Sequence, residues 1–278
     1  MNSALKQLTI FAPELEARTA LTVTGTRSNF KILSHTNMKE VEGTHNLFIA
    51  VCATGLSEIS NLIKHANDIK LLRALFVREN VPAEWLPQML SRADLRMARN
   101  ILIHTNTDWQ TPRRIIKAWQ SGAQRDLIAR ASVTDESLLV LDCTLKSFEV
   151  GFSEIAALAK MAKKDRLKFK ISESGSYIHW PHADVHIDID AIRYATDANC
   201  RQQFDLEKIT HNKNFGKAIS LVRQKYGLAK HDIANISDRQ LRRIENEGAR
   251  PSVATLGILA QAHEMELNNY LNEIAKNF

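Results

Sequence analysis

Apolar residues change their spacing along the chain, and each change marks a region. Residues 1 to 122 begin with the strand-like pieces ALTVTGT and NFKIL. Leu56, Ile59, Leu62 and Ile63 then recur at helical spacing, as do Leu71, Leu72, Leu75 and Phe76, which predicts a mostly helical N-terminal region. Pro82 and Pro87 punctuate it. Asp108 and Thr111-Pro112 announce a further helix, PRRIIKAWQSG, with proline in its first turn and glycine at its end. From 123 to 200 the pattern turns to strands: LIARASV, LLVLDCT and FEVGF are β-rich, SEIAALAKMAKK predicts a helix opened by Ser153, and RLKFKISESGSYIHW predicts a hairpin turning at Gly175.

The stretch from 212 to 278 reads as helical throughout. FGKAISLVRQKYG puts Ala218, Ile219, Val222 and Tyr226 on one face and stops at Gly227, and AKHDIAN predicts a second, very short helix. Ser237 followed by Gln240 is a capping box, in which each side chain satisfies the other's orphan backbone donor, so a third helix starts at Asp238. In that helix Leu241 and Ile244 face inward, while Arg239, Arg242, Arg243 and Asn246 form one outward stripe. Pro251 and Ser252 open VATLGILAQAH, with Val253, Leu256, Leu259 and Ala260 inward; LNNYLNEIA follows with Leu267, Tyr270, Leu271 and Ile274 on its apolar face. Five short helices of this kind predict a compact bundle.

Composition narrows the function. A chain of 278 residues suits two or three domains. The best apolar run, LFIAVCATGL, is about half the ~20 residues that span a bilayer. The first residues lack the pattern of a secretory signal, so a cytoplasmic protein without membrane contact is expected. Cys52, Cys143 and Cys200 are few and far apart, which argues against disulfides or a thiolate zinc site and predicts reduced core residues. The formal net charge is +6, and residues 212 to 252 carry nine basic against four acidic side chains, an excess of five. Such a cluster suits phosphate neutralisation. An arginine comb on a short helix also matches a major groove, where guanidinium can donate twice to guanine.

A resemblance strengthens this reading. GLAKHDIA, SDRQLRRIENEGARPS and TLGILAQAHEMELNNYL, in that order, resemble the lambda-repressor-like (Xre-type) helix-turn-helix family over about residues 214 to 276. The resemblance implies that SDRQLRRIE is the recognition helix, with Asp238, Arg239 and Arg243 reaching base edges. It places Lys230, Arg242, Asn246 and Arg250 at the DNA backbone, and makes Arg223 and Glu245 an ion pair tying the first helix of the bundle to the third. One departure stands out: from Ile233-Ala234 to Ile244-Glu245 the segment is roughly three residues shorter than the family pattern, which trims the second helix or its turn. GSYIHWPHADVHIDIDAIRYA, with LLVLDC and FEVGFSEIAALAK before it, is similar to a small bacterial α+β domain family of uncharacterised function, over about 126 to 200.

HADVHIDID invites a second reading. On one extended strand His182, Asp184, His186, Asp188 and Asp190 would share a face and could hold a divalent ion; the favoured account is a half-buried strand with its polar side in water, then an Asp-capped helix from Asp190, with His179 and Trp180 in the hairpin's packing. No metal and no cofactor are therefore expected. HExxH, GxSxG, GxxxxGK[ST] and GxGxxG are all absent, so an enzyme is not expected either. The expectation is an α+β multidomain transcriptional regulator that binds double-stranded DNA as a homodimer, its N-terminal regions sensing an effector or mediating assembly. The alternatives are a scaffold or antitoxin-like protein whose helix-turn-helix contacts protein, and a metal- or ligand-responsive enzyme built on residues 1 to 200.

Overall fold

The computed structural model describes residues 8–22, 30–35, 38–95, 100–105 and 107–278. Residues up to Thr196 form one compact unit and Asp197–Phe278 a second. The first begins β1 (Leu8–Phe11), α1 (Leu15–Thr22), β2 (Phe30–Leu33), α2 (Met38–Glu42), β3 (Asn46–Cys52), α3 (Ser60–Asp68), β4 (Leu72–Glu79), α4 (Leu86–Arg92), β5 (Ile101–Thr105) and α5 (Gln110–Ser121). These five strands make one parallel sheet in the order β2-β1-β3-β4-β5. Strand alternation divides its apolar residues between two cores. Leu47, Ile49 and Val51 of β3 join Leu62 and Ile63 of α3; Phe48 and Ala50 join Ala17 and Leu21 of α1 and Ile115 and Ile116 of α5.

This arrangement corrects two expectations. Leu72, Leu75 and Phe76 lie in β4 and not in a helix, because a parallel strand covered on both faces is continuously apolar, and such a run satisfies helical spacing by accident. Ala20–Thr22 of the strand-like ALTVTGT end α1, and residues 23 to 26 fall outside the described residues. The α5 helix follows its sequence signals: Asp108 Oδ1 accepts from Thr111 N at 3.3 Å, and Gly122 closes it at φ 74°.

The same unit continues with β6 (Ile128–Val133), β7 (Ser137–Asp142), β8 (Ser147–Gly151), α6 (Ala156–Ala159), β9 (Lys170–Ile171), β10 (Ile178–Trp180), β11 (Val185–Ile187) and α7 (Ile189–Thr196). The strands form two antiparallel sheets, β6-β7-β8 and β11-β10-β9. Val140, Phe148, Val150, Ile178, Trp180, Ile187 and Ile192 share one core. Gly175 turns the β9–β10 connection at φ 83°. The helix expected over SEIAALAKMAKK shrinks to the single turn of α6, since only Leu158 and Met161 of its apolar residues are buried. Of the three free cysteines only Cys143 is buried; Cys52 and Cys200 are half-buried, against the expectation for all three.

The second unit is helical. Its first helix, α8 (Ala198–Lys225), starts well before residue 212 because Asp197 caps it, accepting from Asn199 N and Cys200 N. Its N-terminal half is polar, which hid the period. A 3₁₀ turn (Lys230–Asp232), α9 (Asp238–Glu247), α10 (Val253–Ala262) and α11 (Leu267–Ala275) follow. Ala218, Ile219, Val222, Leu241, Ile244, Leu259, Ala260, Tyr270 and Ile274 build its core. Val253 and Tyr226, expected inward, are exposed: Val253 is the first residue of its helix and Tyr226 the residue that ends α8.

Candidate nucleic-acid interface

The helix singled out by the arginine comb is α9. Ser237 Oγ accepts from Gln240 N at 3.2 Å, one limb of the expected capping box, and Gly248 ends the helix in the left-handed region at φ 73°. Leu241, Ile244 and Glu245 are buried. Asp238, Arg239, Arg242, Arg243 and Asn246 are all exposed, as is Arg250 beyond the helix. The Nε atoms of Arg242 and Arg243 both lie 3.9 Å from the carboxylate of Glu247, so two guanidinium groups lean loosely on a single negative charge.

Behind the comb sits a buried bidentate pair. Arg223 of α8 donates from Nε to Glu245 Oε1 at 2.6 Å and from Nη2 to Oε2 at 3.1 Å, and its Nη1 reaches Leu228 O at 2.7 Å. Burial, and next the Glu245 carboxylate, push the Tyr270 phenol upward, so it stays neutral at ordinary pH. Gly216 of α8 lets α9 come close: a Cβ there would lie 2.0 Å from Ile244 O. Lys230 Nζ lies 3.7 Å from Glu245 Oε2, and its side chain is half-buried. The second helix expected from AKHDIAN is reduced to the 3₁₀ turn, where Asp232 Oδ2 accepts from Ala229 N at 2.6 Å, and Asn235 turns the chain at φ 65°.

Two arrangements in the first unit escaped sequence reasoning. In the sheet order β2-β1-β3-β4-β5 the chain winds from β1 to one side and then to the other, and a cleft of ≈ 560 Å³ opens where the strands on either side of that reversal end. Phe11, Glu14, His35, Cys52, Thr54 and Glu58 are among its lining. Glu14 accepts from Cys52 N at 2.8 Å and from Arg78 Nη2 at 3.0 Å, and Arg78 also bonds Glu16. Topology is nonlocal, so no run of sequence signals this cleft. The second is the hairpin of β10 and β11. The single polar face expected over HADVHIDID does not form: β11 holds only Val185–Ile187, His182 lies in the preceding turn, and Asp188 caps α7 by accepting from Ala191 N at 2.8 Å. His179 takes the place of the missing members, meeting Asp184 and His186.

No curated protein and no solved structure matches the chain. Family recognition is confined to the first unit and leaves the helical C-terminal unit without a helix-turn-helix match. Residues 130–196 match the family described as "Protein of unknown function (DUF2442)".

Proposed function

We propose that this protein binds double-stranded DNA in a sequence-dependent way and regulates transcription, as an Xre-type homodimer that reads the major groove with α9. One observation carries the reading: Arg239, Arg242, Arg243 and Asn246 are exposed together on a helix whose opposite side is fixed by Leu241, Ile244 and a buried ion pair. A comb held from behind and exposed in front, with Arg242 and Arg243 sharing only the loose contact to Glu247, suits a polyanion whose base edges offer paired acceptors. In this reading Asp238, Arg239 and Arg243 meet bases, and Lys230, Arg242, Asn246 and Arg250 meet the backbone. The cleft at the ends of β1 and β3 is where we put an effector.

Two variants test it by failing differently. Arg243→Ala should weaken binding to a duplex selected from random sequence by about 1–3 kcal/mol and relax discrimination at one base position. Arg250→Ala should weaken selected and scrambled duplexes alike and lower the salt slope by about one unit. Absence of duplex binding at low salt overturns the proposal in favour of a protein-contacting helix. An equal loss on both duplexes for Arg243→Ala removes base reading by that residue.

A further inference from the structure

In the hairpin of β10 and β11, Ile178 stands opposite Ile187, His179 opposite His186 and Trp180 opposite Val185. Ile178, Trp180 and Ile187 are buried, which leaves both imidazoles on the opposite face of the ribbon. The two rings stack with centroids 4.0 Å apart and planes 10° from parallel. Asp184 precedes β11 in the left-handed region, at φ 50°, a conformation aspartate tolerates. Its carboxylate and one nitrogen of each imidazole all lie within 4.8 Å of one another.

We propose that His179, Asp184 and His186 bind a divalent late first-row metal ion, zinc foremost. Two neutral imidazoles and one carboxylate match the preferences of zinc, nickel or copper(II), whereas magnesium and calcium require oxygen ligands throughout. Bonds of about 2.0–2.2 Å draw three ligand atoms somewhat closer than 4.8 Å, and side-chain rotation on a fixed ribbon, chiefly of the exposed Asp184 and His186, supplies that movement. His179 is half-buried while Asp184 and His186 are exposed, so an ion can enter from solvent, and three protein ligands leave positions open for water or a further ligand. The Tyr177 ring packs edge-on against His186 at 5.1 Å. Lys170 stands opposite His179 on β9. The site is independent of DNA reading, since its three ligands lie in the first unit and act without a duplex.

Titration of the full, chelator-treated chain with zinc chloride in a calorimeter, and with cobalt(II) read by its visible absorption, tests the assignment. One ion per chain is expected, lost in His186→Ala, weakened about tenfold or more in Asp184→Asn, and unchanged in His182→Ala and His231→Ala, which remove exposed histidines outside the trio. Tryptophan fluorescence, to which Trp180 buried in the same hairpin contributes, checks that each variant is folded, and His179→Gln serves as the second ligand variant. A wild-type chain that takes up no ion overturns the proposal. So does binding that survives both His186→Ala and His179→Gln.

Discussion

Gly216→Ala is the most direct probe of how α8 holds the arginine helix. Its Cβ would sit 2.0 Å from Ile244 O, 3.1 Å from Ile244 C and 3.2 Å from Glu245 O. The first of these is about 1.5 Å short of van der Waals contact. Neither partner can yield by changing rotamer, because a Cβ is fixed by its own backbone and the atoms it strikes are the backbone of α9. The helices must separate, which strains the 2.6 and 3.1 Å bonds between Glu245, next to the clash, and Arg223, about two turns along α8. Overpacking of this kind costs about 3 kcal/mol, at the upper end of its usual range. Alanine's better helix propensity returns about 1 kcal/mol. The net expectation is a loss of about 2 kcal/mol, or roughly 10 °C in the midpoint of the second unit. Gly257→Ala in α10 is the matched control: nothing lies within 4 Å of its added Cβ, so only the propensity gain remains and stability should rise by up to about 1 kcal/mol. All four tryptophans precede residue 197, so their fluorescence follows the first unit, and far-UV circular dichroism adds the helices of the second. Gly216→Ala should move the dichroism transition and leave the fluorescence transition in place. A variant as stable as the wild type refutes the close approach of α8 and α9.

Leu241→Ala, which empties a fully buried site beneath the comb, should destabilise the second unit by about 2–4 kcal/mol; an unchanged dichroism midpoint would place the residue outside the core. Burial, with Asp142 next, pushes the Cys143 thiol up to about 12, so at pH 8 a thiol reagent should label Cys52 and Cys200 in the native protein and Cys143 only after unfolding. Three thiols reacting at one rate would contradict this. Hydrogen bonds from Lys225 and then Lys276 hold the Glu273 carboxyl down to about 2, against an ordinary 4.5. A depressed folded value gives stability that is fully present above about pH 4.5 and lost as pH falls towards 2. Glu273→Gln should therefore be less stable than the wild type at neutral pH and converge with it in acid; a gap independent of pH would rule out the ion pairs as its source.

How much of this was legible in the sequence depended on how local each determinant is. Helix α9 was readable because its cap, its inward Leu241 and Ile244 and its closing Gly248 are all encoded within one segment. The same holds for α5, bounded by Asp108 and Gly122, and for the turn at Gly175. Strand β4 was misread because burial on both faces removes the alternation that distinguishes a strand, leaving Leu72, Leu75 and Phe76 to mimic a helix. The order of the parallel sheet, and with it the cleft lined by Glu14 and Cys52, depends on which strands lie side by side, and hydrophobic spacing carries no record of that.

The histidine hairpin shows the same limit at the scale of single residues. Alternation within HADVHIDID placed five polar side chains on one strand face, but a strand this short must turn, and the turn consumed His182 while α7 took Asp188 as its cap. What replaced them is a cross-strand partner. His179 lies seven residues before His186 in sequence and directly opposite it in the ribbon, because the connection from β10 to β11 closes with Ala183 N donating to Trp180 O at 3.1 Å. Register thus decided the ligand set, and register follows from burying Ile178, Trp180 and Ile187 on the other face. A one-residue slip would send the imidazoles into the core and the aliphatic residues into water. The packing that fixes the fold of this domain is therefore also what presents His179 and His186 to solvent as a pair.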